Sequence, residues 1–442
     1  MSRYSADRAG LKNFSKKVLV IQRFFTSSGG ANLVAANVVE ALKDDYAVSV
    51  LTWKPVDLHA VNRAFGTSLN ESEFQVRLPP YVLRGIIRFP DLLLSVSSGI
   101  LLRLCKKIGN NYDVLISLSN EADLGCPGIQ YVHNPPYSPS YPAYRGRFVN
   151  MLTDSLLGGR SRLWAILAGC SYERMKTNRT LVNSDWSGMR LKEIYGIESQ
   201  RIYPPVLGYF ADIPWSEREN GFVCIGRISR EKNFEKIIRI VSLVRKALPD
   251  AHLHIIGTST RDYGYRKRLA HVIQDSAWIT LSENISRDKL IRLVSTHRYG
   301  IHSAVEPFGL AVAEMVRCGC IVFVPKQGGA SEIVGEDGRL VYDTVEEAVN
   351  NIVSVMRSSY QQTSLRRLMH SRRSLFTQER FKHEIREVVR EFSNRTDGGH
   401  ENTKGLFGNS TRRRTLDTHS GGNSLCIMGR SIPSRLRQRH AM

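Results

Sequence analysis

Short, almost uninterrupted apolar runs alternate with stretches of helical periodicity along most of the chain. This is the pattern of parallel strands buried on both faces and joined by covering helices. In the first half it predicts strands over residues 18–21, 47–51, 112–118, 129–133 and 180–182, with a helix over 31–42. The run Arg201-Ile202-Tyr203-Pro204-Pro205-Val206 breaks the pattern, because consecutive prolines enforce extended backbone and offer no ladder donors. An interdomain linker is expected there. The pattern restarts at 221–226, continues with strands over 252–256, 278–281, 299–302 and 321–324, and places helices over 234–247, 287–294 and 310–318. A basic amphipathic helix over 378–392 closes it. The expected fold class is α/β, with two Rossmann-like domains facing each other across a cleft: residues 1–205 and 206–377, a closing helix over 378–395 and a disordered tail over 396–442. The tail is rich in Gly, Ser, Asn and Arg and lacks the apolar surface needed to offset ordering entropy.

Composition agrees with two domains, since 442 residues at 42% hydrophobic content exceed what one core usually holds. The seven cysteines are scattered, with no CxxC pair and no clustered histidines, so neither a zinc site nor a disulfide framework is expected. A reducing, cytoplasmic setting fits this usage. Residues 1–17 hold no apolar signal region, and no later window reaches roughly 18 uninterrupted apolar residues, so secretion and membrane spanning are not expected.

The formal net charge of +21 calls for an anionic partner: nucleic acid, anionic lipid or a nucleotide diphosphate. A basic nucleic-acid-binding protein is the alternative from another class, supported by the charge and by Arg412-Arg413-Arg414. Neither a known nucleic-acid module nor a basic patch interleaved with aromatics is present, so no nucleic acid is expected as partner. Residues 77–107 mix apolar positions with Arg77, Arg84, Arg88, Arg103, Lys106 and Lys107 against a lone Asp91. Such a segment either lies on an anionic membrane as a peripheral contact or packs on its own domain with a solvated basic face.

Three segments carry candidate chemistry. Ser27-Ser28-Gly29-Gly30-Ala31-Asn32 joins a strand to a helix, where Gly29 and Gly30 allow a ligand close to helix amides; it is equally an ordinary turn. Gly226-Arg227-Ile228-Ser229-Arg230-Glu231-Lys232-Asn233 puts two cations, Arg227 and Lys232, on a strand-to-helix loop, where they can converge on a diphosphate or form a solvated basic loop. Glu306-Pro307-Phe308-Gly309-Leu310-Ala311-Val312-Ala313-Glu314 has a carboxylate at each end and a glycine where a helix begins. Amides near Gly309 and Leu310 can face a phosphate, while Glu306 and Glu314 suit hexose and ribose hydroxyls. No D-x-D triplet is present, so no metal is expected in the chemistry.

These residues resemble the retaining glycosyltransferases of family 4, which have the two-domain GT-B fold. The family's E-x7-E motif is matched by Glu306 and Glu314, and its G-R-x-x-x-E-K-N loop by Gly226, Arg227, Glu231, Lys232 and Asn233. The resemblance covers roughly residues 16–395. Tyr131-Val132-His133-Asn134-Pro135-Pro136, Val182-Asn183-Ser184 and Ile202-Tyr203-Pro204-Pro205 look like the lipid-linked oligosaccharide α-1,2-mannosyltransferases and bacterial group 1 glycosyltransferases, although Asn134 stands where tyrosine is usual.

The resemblance implies a metal-independent hexosyltransferase, with mannose favoured, that uses GDP-mannose or a UDP-sugar as substrate and needs no cofactor. It implies a glycan or lipid-linked glycan as acceptor. Arg227 and Lys232 would neutralise the diphosphate, with Glu306 on the transferred sugar. Phe308, Gly309 and Leu310 would line the donor phosphates, with Glu314 on the ribose and Ile285 near the base. His133, Gly29 and Gly30 would lie on the acceptor side. A catalytically silent GT-B scaffold would carry the same fold and bind nucleotide without turnover.

Overall fold

The computed structural model describes residues 14–88, 94–135, 169, 171–208, 210, 212–258, 262–274 and 276–404. Its strands are β1 (Lys17–Ile21), β2 (Ala47–Leu51), β3 (Phe74–Arg77), β4 (Val114–Ser117), β5 (Ile129–Val132), β6 (Arg179–Val182), β7 (Gln200–Arg201), β8 (Glu219–Arg227), β9 (Leu253–Thr258), β10 (Ile279–Glu283), β11 (His297–Ile301), β12 (Ile321–Pro325) and β13 (Val341–Tyr342). They form two wholly parallel sheets, ordered β3-β2-β1-β4-β5-β6-β7 and β10-β9-β8-β11-β12-β13. Strand order reverses once in each sheet, between β1 and β4 and between β8 and β11. Loops leaving the carboxyl ends diverge at such a point and open a crevice.

Helices cover both sheets because the apolar runs of the central strands must be buried on two faces. The residues of β12, Ile-Val-Phe-Val-Pro, are all buried, and the helix Phe234–Ala247 lays Ile237, Ile240, Val241 and Val244 against its sheet at helical spacing. β3, β7 and β13 fall outside the sequence expectation. β3 buries only Phe74, and β7 and β13 are two residues each, too short to show a period. Arg201 belongs to β7, so the crossing between lobes starts after it, not at 201 as expected. There the Val206 amide donates to the Phe376 carbonyl (2.8 Å), and Tyr203 packs on Phe308 and Phe376, so the outgoing and returning chains run side by side.

The last helix, Gln378–Lys404, extends into the stretch expected to be tail from residue 396; propagating a helix already anchored by packing is easier than starting one. Its Phe381, Ile385, Val388 and Val389 form one stripe in the core of the first lobe. The closing helix is thus part of the first lobe's packing, although it follows the second lobe in sequence. The remainder of the expected tail, 405–442, lies outside the described residues. The described residues up to Thr396 make one compact unit containing both sheets.

Among the described residues no helix is long and apolar enough to cross a membrane. Within the basic segment 77–107, Leu101, Leu102 and Cys105 of the helix Leu94–Ile108 are buried with Trp53, whose indole N–H donates to the Ser97 carbonyl (3.1 Å). That part packs on its own domain, whereas Tyr81 and Val82 stand 84% and 86% exposed. Residues 89–93, including Asp91, lie outside the described residues.

Candidate active site

The loops at the two switch points meet in a cleft of about 700 Å³. His133, Gly29 and Gly30 line it from the first lobe; Arg227, Lys232, Glu306, Phe308, Gly309, Leu310 and Glu314 line it from the second. All of the candidate site residues except Ile285 therefore face one space. Ile285 is packed against the second lobe's core instead, where its apolar side chain is better satisfied than at an open rim.

The floor of the cleft is built from helix starts. Among the described residues seven α-helices, Leu58–Phe65, Tyr172–Lys176, Asp185–Tyr195, Phe234–Ala247, Arg287–Ser295, Val345–Arg357 and Ser359–Arg372, begin on a side chain that caps their first amides. The two that open on the cleft, Gly30–Leu42 and Leu310–Arg317, begin on Gly29 and Gly309 with no side-chain cap. Their first amides have no intrahelical partner, and the positive end of each helix dipole points where an anion could sit. Gly309 sits at φ 104°, ψ 63°, a left-handed conformation that a side chain strongly disfavours.

Lys232 forms an ion pair with Glu306 across the cleft floor. Ser303, itself buried, donates to the carbonyls of Lys232 (3.0 Å) and Asn233 (2.9 Å), which fixes the basic loop against the end of β11. His302 Nε2 lies 3.4 Å from Glu306 Oε1. Burial of Glu306 works to raise its pKa, but the facing His302 and Lys232 outweigh it and hold the carboxyl well below the usual carboxylate range. Glu306 is thus a fixed anion and acceptor, unsuited to giving up a proton. Arg227 is 65% exposed and pairs with Glu231 one turn on, a weak surface contact that an incoming phosphate can replace. Glu314 accepts from Arg287 (2.8 Å), which also donates to the Leu207 carbonyl (2.8 Å) and so ties this carboxylate to the chain crossing.

On the facing wall, the Asn120 side chain accepts from the amides of His133 (2.9 Å) and Asn134 (3.1 Å), and Asn183 donates to the His133 carbonyl (2.7 Å). His133 Nε2 lies 3.2 Å from the Leu118 carbonyl, which can only accept, so Nε2 carries the proton and Nδ1 the lone pair. Burial pushes the imidazole down to about 4, against a smaller opposing effect of that hydrogen bond, so the ring is neutral at pH 7.

Two contacts hold the lobes together beside the cleft. The Pro307 carbonyl accepts from the Ser184 hydroxyl, and Glu332 accepts from the amides of Asp185 (2.9 Å) and Trp186 (2.6 Å), completing a first-lobe helix start from the second lobe. Asn120, His302, Ser303, Arg287 and Glu332 escaped the sequence reading. Only the His302-to-Glu306 spacing and the Ser286-Arg287-Asp288 stretch carried any signal, because polar residues that position others leave no periodic trace.

Comparison with known proteins agrees with this geometry. Residues 209–370, the greater part of the second lobe, match the family model described as glycosyl transferases group 1. No curated protein matches the chain. Among solved structures, Anabaena HepE in complex with UDP and glucose is 16% identical with a TM-score of 0.58, covering 85% of this chain and 100% of its own. Sucrose-phosphate synthase from Thermosynechococcus elongatus is 15% identical at TM-score 0.59, covering 85% of this chain and 98% of its own. WaaG, a glycosyltransferase involved in lipopolysaccharide biosynthesis, is 14% identical at TM-score 0.58, covering 83% and 99%. The fold is GT-B, two Rossmann-like domains as the strand pattern predicts. Residues 209–370 thus carry a domain that matches group 1 glycosyl transferases, set on that fold.

Proposed function

We propose that the chain is a retaining, metal-independent hexosyltransferase that takes its sugar from a nucleotide diphosphate donor bound in the cleft. The observation that carries this reading is the gathering of Lys232, Arg227 and two uncapped helix starts around the fixed carboxylate of Glu306. As the glycosidic bond to the diphosphate breaks, negative charge grows on the phosphate oxygens and positive charge on the sugar ring. Cations and helix amides already in place lower the barrier because they need not reorganise. Glu306, held ionised, accepts from sugar hydroxyls and opposes the ring's positive charge. Glu314, oriented by Arg287, accepts from the ribose, and the neutral His133 offers an Nδ1 lone pair to a hydroxyl on the acceptor side. On the retaining course the leaving phosphate oxygen takes the acceptor's proton, so no protein base is required.

The donor is GDP-mannose, favoured by the resemblance of the His133 and Pro204-Pro205 segments, or a UDP-sugar, as HepE's complex with UDP suggests. A glycan or lipid-linked glycan is the acceptor. The exposed Tyr81 and Val82, next to Arg77 and Arg84, are suited to a peripheral contact with an anionic membrane on its cytoplasmic face.

A melting screen with GDP, UDP, GDP-mannose and UDP-hexoses tests the reading, since a ligand that binds only the folded chain raises its stability by mass action. One nucleotide series raises the melting temperature by several degrees, and its sugar is released faster with anionic vesicles carrying a lipid-linked glycan. NMR of the product shows the donor's anomeric configuration. No shift with any nucleotide, or an inverted product, contradicts the proposal.

A further inference from the structure

The edge of the second sheet opposite the cleft holds a second group of chemically capable side chains. Glu219 is the first residue of β8, His297 the first of β11, and His252 directly precedes β9. His297 pairs in register with Glu219, and the pairing then slips, three residue steps on β8 opposing two on β11 before Tyr299 meets Phe222. Such an irregularity re-aims side chains at a sheet edge. On the other side of β8, Phe222 is in register with Leu253, which puts Gly221 beside His252. The imidazole of His252 occupies the space a Cβ on Gly221 would take, its Nε2 only 2.1 Å from that position, so glycine is what lets this ring fold in toward the edge.

The result is one imidazole nitrogen from each of His252 and His297 and one carboxylate oxygen from Glu219, all within 4.8 Å of one another. His252 Nε2 lies 3.1 Å and His297 Nε2 3.8 Å from Glu219 Oε2. Ligand atoms around a tetrahedral zinc ion, at roughly 2.0–2.1 Å from the metal, stand about 3.4 Å apart, a value these two distances bracket.

The most telling member is His297. Its residue is 1% exposed, its Nδ1 lies 2.8 Å from the Leu293 carbonyl, and its Nε2 is buried with no hydrogen-bond partner among the described residues. A carbonyl can only accept, so Nδ1 carries the proton and Nε2 presents a lone pair toward Glu219 and His252. A metal-binding histidine is held in this way, with the outer nitrogen anchored to a backbone acceptor and the inner one free to ligate. The neighbouring His254 is engaged elsewhere, its Nε2 2.9 Å from the Ser282 hydroxyl.

We infer that Glu219, His252 and His297 bind a zinc ion, with solvent in the remaining position. Two imidazoles and one carboxylate suit zinc, whereas magnesium prefers an all-oxygen shell. The ion would staple the starts of β8, β9 and β11 at the edge away from the cleft. Its role is to brace the lobe, separate from sugar transfer.

The test takes the untagged full chain, strips it with chelator and dialyses it against Zn²⁺ or Mg²⁺. The wild type retains one zinc ion per chain and melts several degrees higher with Zn²⁺ than with the same concentration of Mg²⁺. His252→Gln and Glu219→Gln alter partly or fully exposed residues, so each variant folds and melts close to the metal-free wild type. Each weakens zinc binding by at least about 10-fold, the lower end of what loss of even an outer partner costs. A wild type that retains no zinc overturns the proposal, as do variants that bind it as tightly as the wild type does.

Discussion

Replacing Lys232 by alanine lowers kcat by about 100- to 1000-fold, the scale of losing one preorganised stabiliser of transition-state charge. Lys232 is the less exposed of the two cleft cations, 15% against 65% for Arg227, so its charge acts on the leaving diphosphate with less screening by water. The same substitution leaves Glu306 with His302 as its remaining facing group, so the melting temperature falls too. Kinetics therefore belong well below the transition. The readout is nucleotide release at saturating donor, with circular dichroism verifying the fold. A Lys232→Ala variant within threefold of wild-type kcat removes Lys232 from the mechanism.

Glu121 gives the second large effect, on stability. It lies just beyond the carboxyl end of β4, 7% exposed; one carboxyl oxygen accepts from the Tyr195 hydroxyl (2.9 Å) and the other has no hydrogen-bond partner among the described residues. Burial pushes its pKa up from 4.5 to about 7, against smaller lowering effects of its own backbone amide and Tyr195. In the window between these values the folded chain holds a proton that the unfolded chain has lost. Stability therefore falls as pH rises from 4.5 to 7, by up to about 3 kcal/mol. Glu121→Gln removes this penalty. Chemical denaturation should show the variant more stable than wild type at pH 8 by about that amount and equal to it near pH 4. A constant difference across this range would mean that Glu121 is not held protonated.

Much of this architecture was legible in the residues, and the reason is physical. Strands such as 47–51 and the helix 234–247 were found at their observed bounds because parallel strands buried on both faces must be apolar throughout, and a covering helix must repeat its apolar face. The shared cleft of the basic loop 226–233 and of Glu306 and Glu314 was legible because glycine, cations and carboxylates stand close together in sequence at strand-to-helix turns.

What was not legible depends on distance along the chain. The return of Phe381 and Val388 to the first lobe, the Glu332 clamp on the Asp185 helix and the Asn120 support of His133 join segments whose proximity arises only on folding. The Glu219, His252 and His297 group is the sharpest case. The absence of clustered ligands in the sequence argued against a zinc site, yet parallel pairing carries three separate strand starts to one edge. Ile285, expected near the base from its place beside a motif, is partly buried against the second lobe's core, a contact that its local sequence did not announce.

The central claim is that the cleft grips a diphosphate between Lys232, Arg227 and the helix starting at Leu310. A crystal structure with the nucleoside diphosphate selected by the melting screen tests it most directly. The account predicts phosphate oxygens within hydrogen-bond reach of the Lys232 ammonium, the Arg227 guanidinium and the Leu310 amide. A diphosphate bound elsewhere, for example in the basic pocket lined by Arg218, Arg366 and Arg373, with the cleft empty, would contradict it.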